Sequence, residues 1–178
     1  MGCCASGQDT TDAVAAAAAD AHRAMMKGLF DADNKDARGQ DATMRQAMER
    51  LAPFRSKLRI CRNFSTVCAG EMADESIDFV YIDARHDYKG AMQDLHAYWP
   101  KVRPGGIFAG HDYVYASEHP WFATGKSDYS INFDGTRDPL QRAVKGAVDD
   151  FFSACVPRQV SVTYRDESAP FVSWMVRK

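Results

Sequence analysis

The chain lacks most of the features that would send it to nucleic acid or into a membrane. Its formal net charge is -2, and no stripe of Lys and Arg gathers along any segment, so the electrostatic footprint of a nucleic-acid partner is missing. No apolar run approaches the roughly 20 residues that a spanning helix needs, which excludes a transmembrane segment of that kind. The N-terminus has neither a basic region nor the apolar core of a secretion signal, and the expected location is cytoplasmic. Cysteine is scarce: Cys3, Cys4, Cys61, Cys68 and Cys155 show no zinc-type spacing. Cys61 and Cys68 are therefore expected to stay reduced on or near a buried strand. Without a secretion signal the Asn63-Phe64-Ser65 sequon carries no weight. No Gly-x-Ser-x-Gly elbow supports a hydrolase, and there is no internal repeat or inter-domain linker.

What is present is an ordinary globular composition, 46% hydrophobic and 26% charged over 178 residues, enough for one domain with a proper core. Its most informative stretch is Ile77-Asp-Phe-Val-Tyr-Ile-Asp83 followed, across one amphipathic segment, by Gly105-Gly-Ile-Phe-Ala-Gly-His-Asp-Tyr113. Two short apolar runs each end in an acid, a strand–helix–strand unit with carboxylates where open α/β sheets place their chemistry. Neighbouring strands lie roughly 4.8 Å apart, so Asp83 and Asp112 can converge on one metal ion or one substrate.

Around this unit the pattern predicts an alanine-rich helix from Asp12 to Leu29, a polar loop from Asp31 to Gln40, and a helix from Asp41 to Leu51 that Pro53 ends. Leu58 to Arg62 alternates as a strand, and Ser65 caps a short helix to Met72. Phe79 to Ile82 reads as a parallel strand covered on both faces. The next helix runs from about Asp87 to Lys101, presents Tyr88, Met92, Leu95 and Trp99, and is terminated by Pro104-Gly105-Gly106. A long loop, Tyr113 to Arg137, suits a lid or binding loop. Asp138-Pro139 starts a helix with Leu140, Val144, Val148, Phe151 and Cys155 on its buried face. Val160 to Tyr164 and Phe171 to Val176 form a closing antiparallel hairpin. At the other end, Met1-Gly2-Cys3-Cys4-Ala5-Ser6 fits N-myristoylation at Gly2 with palmitoylation at Cys3 and Cys4. The two signals together would make membrane association stable.

Leu51-Ala-Pro-Phe54, Ser76 to Tyr88 and Trp99 to Tyr113 together resemble a class I S-adenosylmethionine-dependent methyltransferase. The resemblance covers roughly residues 36–178 and is nearest to small-molecule O-methyltransferases, some of which use a divalent metal. It implies an α/β, Rossmann-like sheet of seven strands in the order 3-2-1-4-5-7-6, with helices on both faces and a C-terminal antiparallel hairpin. Residues 1–35 would be a tail and helix outside that domain. By position, Asp83 ends the fourth family strand and Asp112 the fifth, where metal-dependent members keep the ligands of Mg2+; His111 is a third ligand or orients Asp112. His86 stands where related enzymes keep a lysine base, and a histidine pKa of about 6.5 suits proton abstraction. Ser65, Ala84 and Arg85, with Asp83, fall where relatives contact the cofactor's adenosine.

One element of that family is missing from the sequence. Nothing before Asp36 resembles a first strand with a glycine-rich turn, since Gly2, Gly7, Gly28 and Gly39 are isolated. The acid that ends the family's second strand is also absent. The expected sheet is therefore incomplete at its N-terminal side, with an exposed edge on the fourth strand. The same absence weakens a nicotinamide dehydrogenase, whose pyrophosphate that turn would hold. Two readings follow: methyl transfer to a small molecule, at oxygen before nitrogen, or a non-catalytic, membrane-tethered binding or scaffold protein that pairs through the exposed edge.

Overall fold

The computed structural model describes residues 34–118, 128–163 and 171–178. The alanine-rich segment, the Gly2/Cys3/Cys4 pattern, and Trp121 and Phe122 of the long loop lie outside the described residues. The chain divides into two units, Met1–Ile60 and Cys61–Lys178, so the boundary expected near residue 35 falls inside the first.

In the first unit, α1 spans Asn34–Arg50, and a 3-10 turn over Ala52–Lys57 has Pro53 in its opening positions. The loop expected up to Gln40 is thus helical from Asn34. Its one interior glycine, Gly39, costs about 1 kcal/mol against alanine, which the rest of a 17-residue helix absorbs. Leu58 to Arg62, expected as a strand, is irregular, and both Leu58 and Ile60 are exposed. An alternating pattern makes a strand only where a second backbone meets its amides, and no such partner occurs among the described residues.

The second unit opens with α2, Ser65–Gly70. Ser65 is its first residue rather than its cap: Phe64 occupies the cap position and no side chain satisfies the free amides. Cys61 and Cys68 are joined in a disulfide, which corrects the expectation of two reduced thiols. Seven residues apart, they are brought together because the first turn of α2 folds back, with Cys68 N–H bonded to Phe64 O at 3.0 Å.

Strands β1 (Ile77–Ile82), β2 (Val102–Gly110), β3 (Ser161–Val162) and β4 (Trp174–Arg177) form one sheet in the order β1-β2-β4-β3. β1 and β2 are parallel; β4 runs antiparallel to both β2 and β3. This is an α/β, Rossmann-like fold with a C-terminal antiparallel strand pair, and its order matches the 4-5-7-6 end of the expected sheet. Ile77 pairs with Val102 but Phe79 with Ile107, so β2 carries extra residues there. Gly105, at φ +77°, supplies the left-handed turn that absorbs them. Pro104-Gly105-Gly106 consequently lies inside β2 and does not end a helix. The preceding helix, α3 (Tyr88–Tyr98), already gives way to a 3-10 turn at Trp99–Lys101 that contains Pro100.

Strand alternation sorts the sheet's two faces. Val80, Phe108, Trp174 and Val176 are buried with Leu95 of α3 and with Val144, Val148 and Phe151 of the helix that follows β2. Aromatic pairs tighten this core: Trp99 meets Phe152 edge to face at 5.2 Å and Phe108 meets Trp174 at 5.6 Å. Burying each such side chain contributes about 1.5–3 kcal/mol. Among the described residues of this unit the opposite face is exposed: Phe79 is 56% exposed and Tyr81 44%, with Ile107 and Met175 beside them. β1 is therefore covered on one face, not on both as its unbroken apolar run suggested.

That last helix, α4, begins at Ala143, not at Asp138, and runs to Asp150 before a π turn over Phe151–Cys155. Gln141, just before the helix, and Ala143, its first residue, adopt φ +51° and +48°, left-handed conformations that keep the helix from extending back to Asp138. Asp138 instead closes a turn, accepting from Arg142 N–H at 2.8 Å. Leu140 points to solvent at 68% exposure, leaving Val144, Val148 and Phe151 as the buried stripe.

Candidate active site

The register Ile82↔Gly110 sets the carboxyl ends of β1 and β2 side by side, and His111 N–H donates to Ile82 O at 3.0 Å. Such an approach requires glycine at 110, where a Cβ would lie 2.6 Å from Ile82 O and 2.7 Å from the Trp174 ring. Beyond it the chain turns abruptly. Asp112 has φ +53°, a conformation few residues other than Gly, Asn and Asp tolerate. Residues held this way cluster at functional sites.

Asp83, His86 and Asp112 meet there. His86 Nε2 lies 3.0 Å from Asp112 Oδ2 and 3.7 Å from Asp83 Oδ1. One ligand atom from each of the three fits within 4.8 Å of the others. Asp112 is buried, whereas the Asp83 side chain is 55% exposed. The Asp112 hydrogen bond holds the His86 pKa above its ordinary value, with burial working against it and the Asp112 and Asp83 charges adding to it. Burial alone would raise the Asp112 carboxyl, but the hydrogen bond and charge of His86, helped by His111, outweigh it and hold it below the usual range. His111 Nδ1 is 3.4 Å from Asp112 Oδ2, close enough to orient the carboxylate, and its ring stacks on Phe171.

Beside the cluster is a small cavity of about 10 Å³, room for about one water, lined by Asp83, Ala84, Arg85, His86, His111 and Trp174, among others. Trp174 Nε1 is buried and has no hydrogen-bond partner among the described residues. Ser65 stands apart, for its hydroxyl donates to buried Asp94, and Tyr98 Oη donates to Ser65 O at 2.9 Å. Arg85 is turned away from the acids: its Nε–H donates to Asp87 Oδ2 at 2.7 Å and its guanidinium lies over Phe133.

Two site-forming residues were not singled out by sequence reasoning. Asp87 is buried, caps α3 through Gly90 N–H at 3.0 Å, and takes Phe133 N–H at 3.1 Å from the long loop. Lys89 adds an ion pair to Asp134 at 2.5 Å. These bonds seat residues 128–138 beside the cluster, where the Tyr129 ring packs 4.6 Å from His86. Burial, then the Asp112 and Asp83 charges, push the Tyr129 hydroxyl up to about 12, so it stays protonated. The cap signature of Asp87 was legible; the seat it gives a loop more than 40 residues away was not.

Residues 6–113 match the family profile described as a methyltransferase domain, more than half of the chain. The chain belongs to that methyltransferase family. No curated protein matches it. Among solved structures it is similar to a protein from Corynebacterium glutamicum at 16% identity, over 78% of this chain and 56% of that one, with a TM-score of 0.53. It also resembles an O-methyltransferase from Bacillus cereus in complex with SAH, at 18% identity over 64% of this chain and 46% of that one, TM-score 0.36. The chain thus spans about half the length of these structures; the Corynebacterium likeness supports the fold.

Proposed function

We propose that the protein transfers a methyl group from S-adenosylmethionine to an oxygen of a small molecule. The observation that carries this reading is the Asp83–His86–Asp112 cluster at the ends of two parallel strands, in a chain of the methyltransferase family. Ala84 and Arg85, beside Asp83 just past the end of β1, would meet the cofactor's adenosine. Ser65, whose hydroxyl is engaged by Asp94, would have to meet that adenosine through its backbone.

The donor set fits a divalent cation. Two carboxylates supply the hard oxygen ligands that Mg2+ prefers, and Asp112 is already held in an unusual backbone conformation. Asp83 and Asp112 would hold it, with His111 steadying Asp112 or completing the set. Such an ion lowers the pKa of a hydroxyl close to it.

The protein's own groups do the rest. His86, between the two acids, takes the proton of the acceptor hydroxyl. The acceptor oxygen forms its bond to the methyl carbon as the carbon–sulfur bond breaks, leaving S-adenosylhomocysteine. Tyr129, neutral at physiological pH, walls the site and limits water. This reading keeps the expectation of a cytoplasmic chain, with N-myristoyl Gly2 and palmitoyl Cys3 and Cys4 as a proposed route to a membrane surface.

The test is a calorimetric titration with S-adenosylhomocysteine, with and without Mg2+. Micromolar binding that Asp83→Ala abolishes supports the reading; no binding at millimolar ligand by folded protein overturns it. A second reading, a non-catalytic protein that pairs through the β1 edge, draws on the position of β1 at the end of the described sheet.

A further inference from the structure

Asp112 carries the cluster's buried carboxylate on a left-handed backbone, φ +53°. Such a conformation persists only where the surrounding structure holds it. On its N-terminal side the hold is the bond from His111 N–H to Ile82 O at 3.0 Å. On its C-terminal side Val114 N–H closes a three-residue turn onto Asp112 O at 2.6 Å, with Tyr113 at its centre. Tyr113 N–H donates to Val172 O at 3.1 Å. The Tyr113 side chain is tied to α4: its hydroxyl donates to Asp149 Oδ1 at 2.5 Å, and Tyr115 Oη donates to Asp149 Oδ2 at 3.1 Å.

The start of α4 receives the same turn. The first amides of a helix have no partner within it, and that of Lys145 donates to Val114 O at 3.3 Å. Lys145 and Asp149 stand four residues apart, on one face of α4. Lys145 Nζ lies 4.5 Å from the centre of the Tyr115 ring and 5.6 Å from that of Tyr113, and pairs with Glu118 at 2.7 Å. Burial, then the bond to Asp149, pushes the Tyr113 hydroxyl above its ordinary value, so it stays a donor. One carboxylate thus receives two tyrosines, the first of them next to Asp112 in the chain.

We propose that Asp149 is a positioning residue for the cation site: by holding Tyr113 and Tyr115 it fixes the turn that sets the Asp112 carboxylate beside Asp83 and His86. This deepens the methyl-transfer reading and rests on its cation site. Asp149 acts through Tyr113. Without that brace the left-handed turn relaxes, and an arriving ion has to re-form it. Groups that orient metal ligands from behind are worth about 10–100-fold in metal affinity, and the low end of that range is expected for a brace one residue removed.

The experiment titrates Mn2+ alone into the full chain and reads the free ion by electron paramagnetic resonance. It compares the unaltered protein with Asp149→Ala, Asp149→Asn and Tyr113→Phe, each checked by its thermal melt. Asparagine keeps an acceptor for Tyr113 and a donor for the Tyr115 oxygen while removing the charge. Binding is expected to weaken about ten-fold in Asp149→Ala and Tyr113→Phe, and to stay within about two-fold in Asp149→Asn. Unchanged affinity in folded Asp149→Ala overturns the brace and leaves the cation site standing; if that variant does not fold, Tyr113→Phe decides in the same way. An equal loss in Asp149→Asn and Asp149→Ala also overturns it, because charge and not bonding is then what acts. No Mn2+ binding by the unaltered protein overturns the brace and the cation site together. Calorimetric binding of S-adenosylhomocysteine by that same sample would leave the methyl-transfer reading in place.

Discussion

At the scale of single residues the site is a balance of charges around one imidazole. The raised pKa of His86 means its contribution to stability is complete below the free value of 6.5 and is lost as pH rises through the folded value. The lowered pKa of Asp112 means its contribution is complete above 3.8 and is lost as pH falls through the folded value. Their pair therefore stabilises fully between those two limits. Urea denaturation across pH is expected to show this plateau, and His86→Gln to flatten both shoulders; identical profiles for the two proteins would contradict the pairing. Gly110→Ala sets a methyl against the Ile82 carbonyl and the Trp174 ring. A backbone atom cannot step aside, so a cost of about 1–3 kcal/mol is expected in the same denaturation assay.

Among the elements, the seat of the 128–138 loop depends most on one carboxylate. Asp87 caps α3 and accepts from Phe133 and from Arg85, so Asp87→Ala removes three hydrogen bonds at once. A loss of about 1–3 kcal/mol is expected, with faster amide exchange at Phe133; a change confined to α3 would mean the loop has another anchor. The elements also separate what patterning reveals from what it cannot. The strand–helix–strand unit and the closing hairpin were legible because their periods are long and their ends acidic or turn-forming. The start of α4 was not. Asp138-Pro139 carries a helix-start signal, yet Gln141 and Ala143 take left-handed conformations while Asp138 is spent on Arg142. Leu58 to Arg62 failed as a strand for a related reason, since alternation specifies a face and not a neighbour.

For the whole molecule, the exposed apolar face of the sheet is where self-association is expected. Phe79 lies on it at 56% exposure, and Phe79→Thr is expected to change stability by less than about 0.5 kcal/mol. Any self-association seen by sedimentation is expected to fall in that variant. Unchanged association would place the contact elsewhere. The described core lies wholly in the unit Cys61–Lys178. That segment expressed alone is expected to give a single calorimetric transition, while a broad, non-cooperative melt would show that it needs the first unit to fold.

The sequence by itself determined the α/β class, the strand pair that ends in Asp83 and Asp112, and the histidine between them, because hydrophobic period and chain direction are local properties. Tertiary structure alone decided that His86 bridges both acids, that Ser65 spends its hydroxyl on Asp94, that Tyr129 packs against His86, and that Cys61 meets Cys68. Each of those contacts depends on how backbones turn and pack beyond one element, through left-handed residues, a register shift and a six-residue helix. No residue pattern encodes such approaches; they follow from the packing of the elements that the pattern creates.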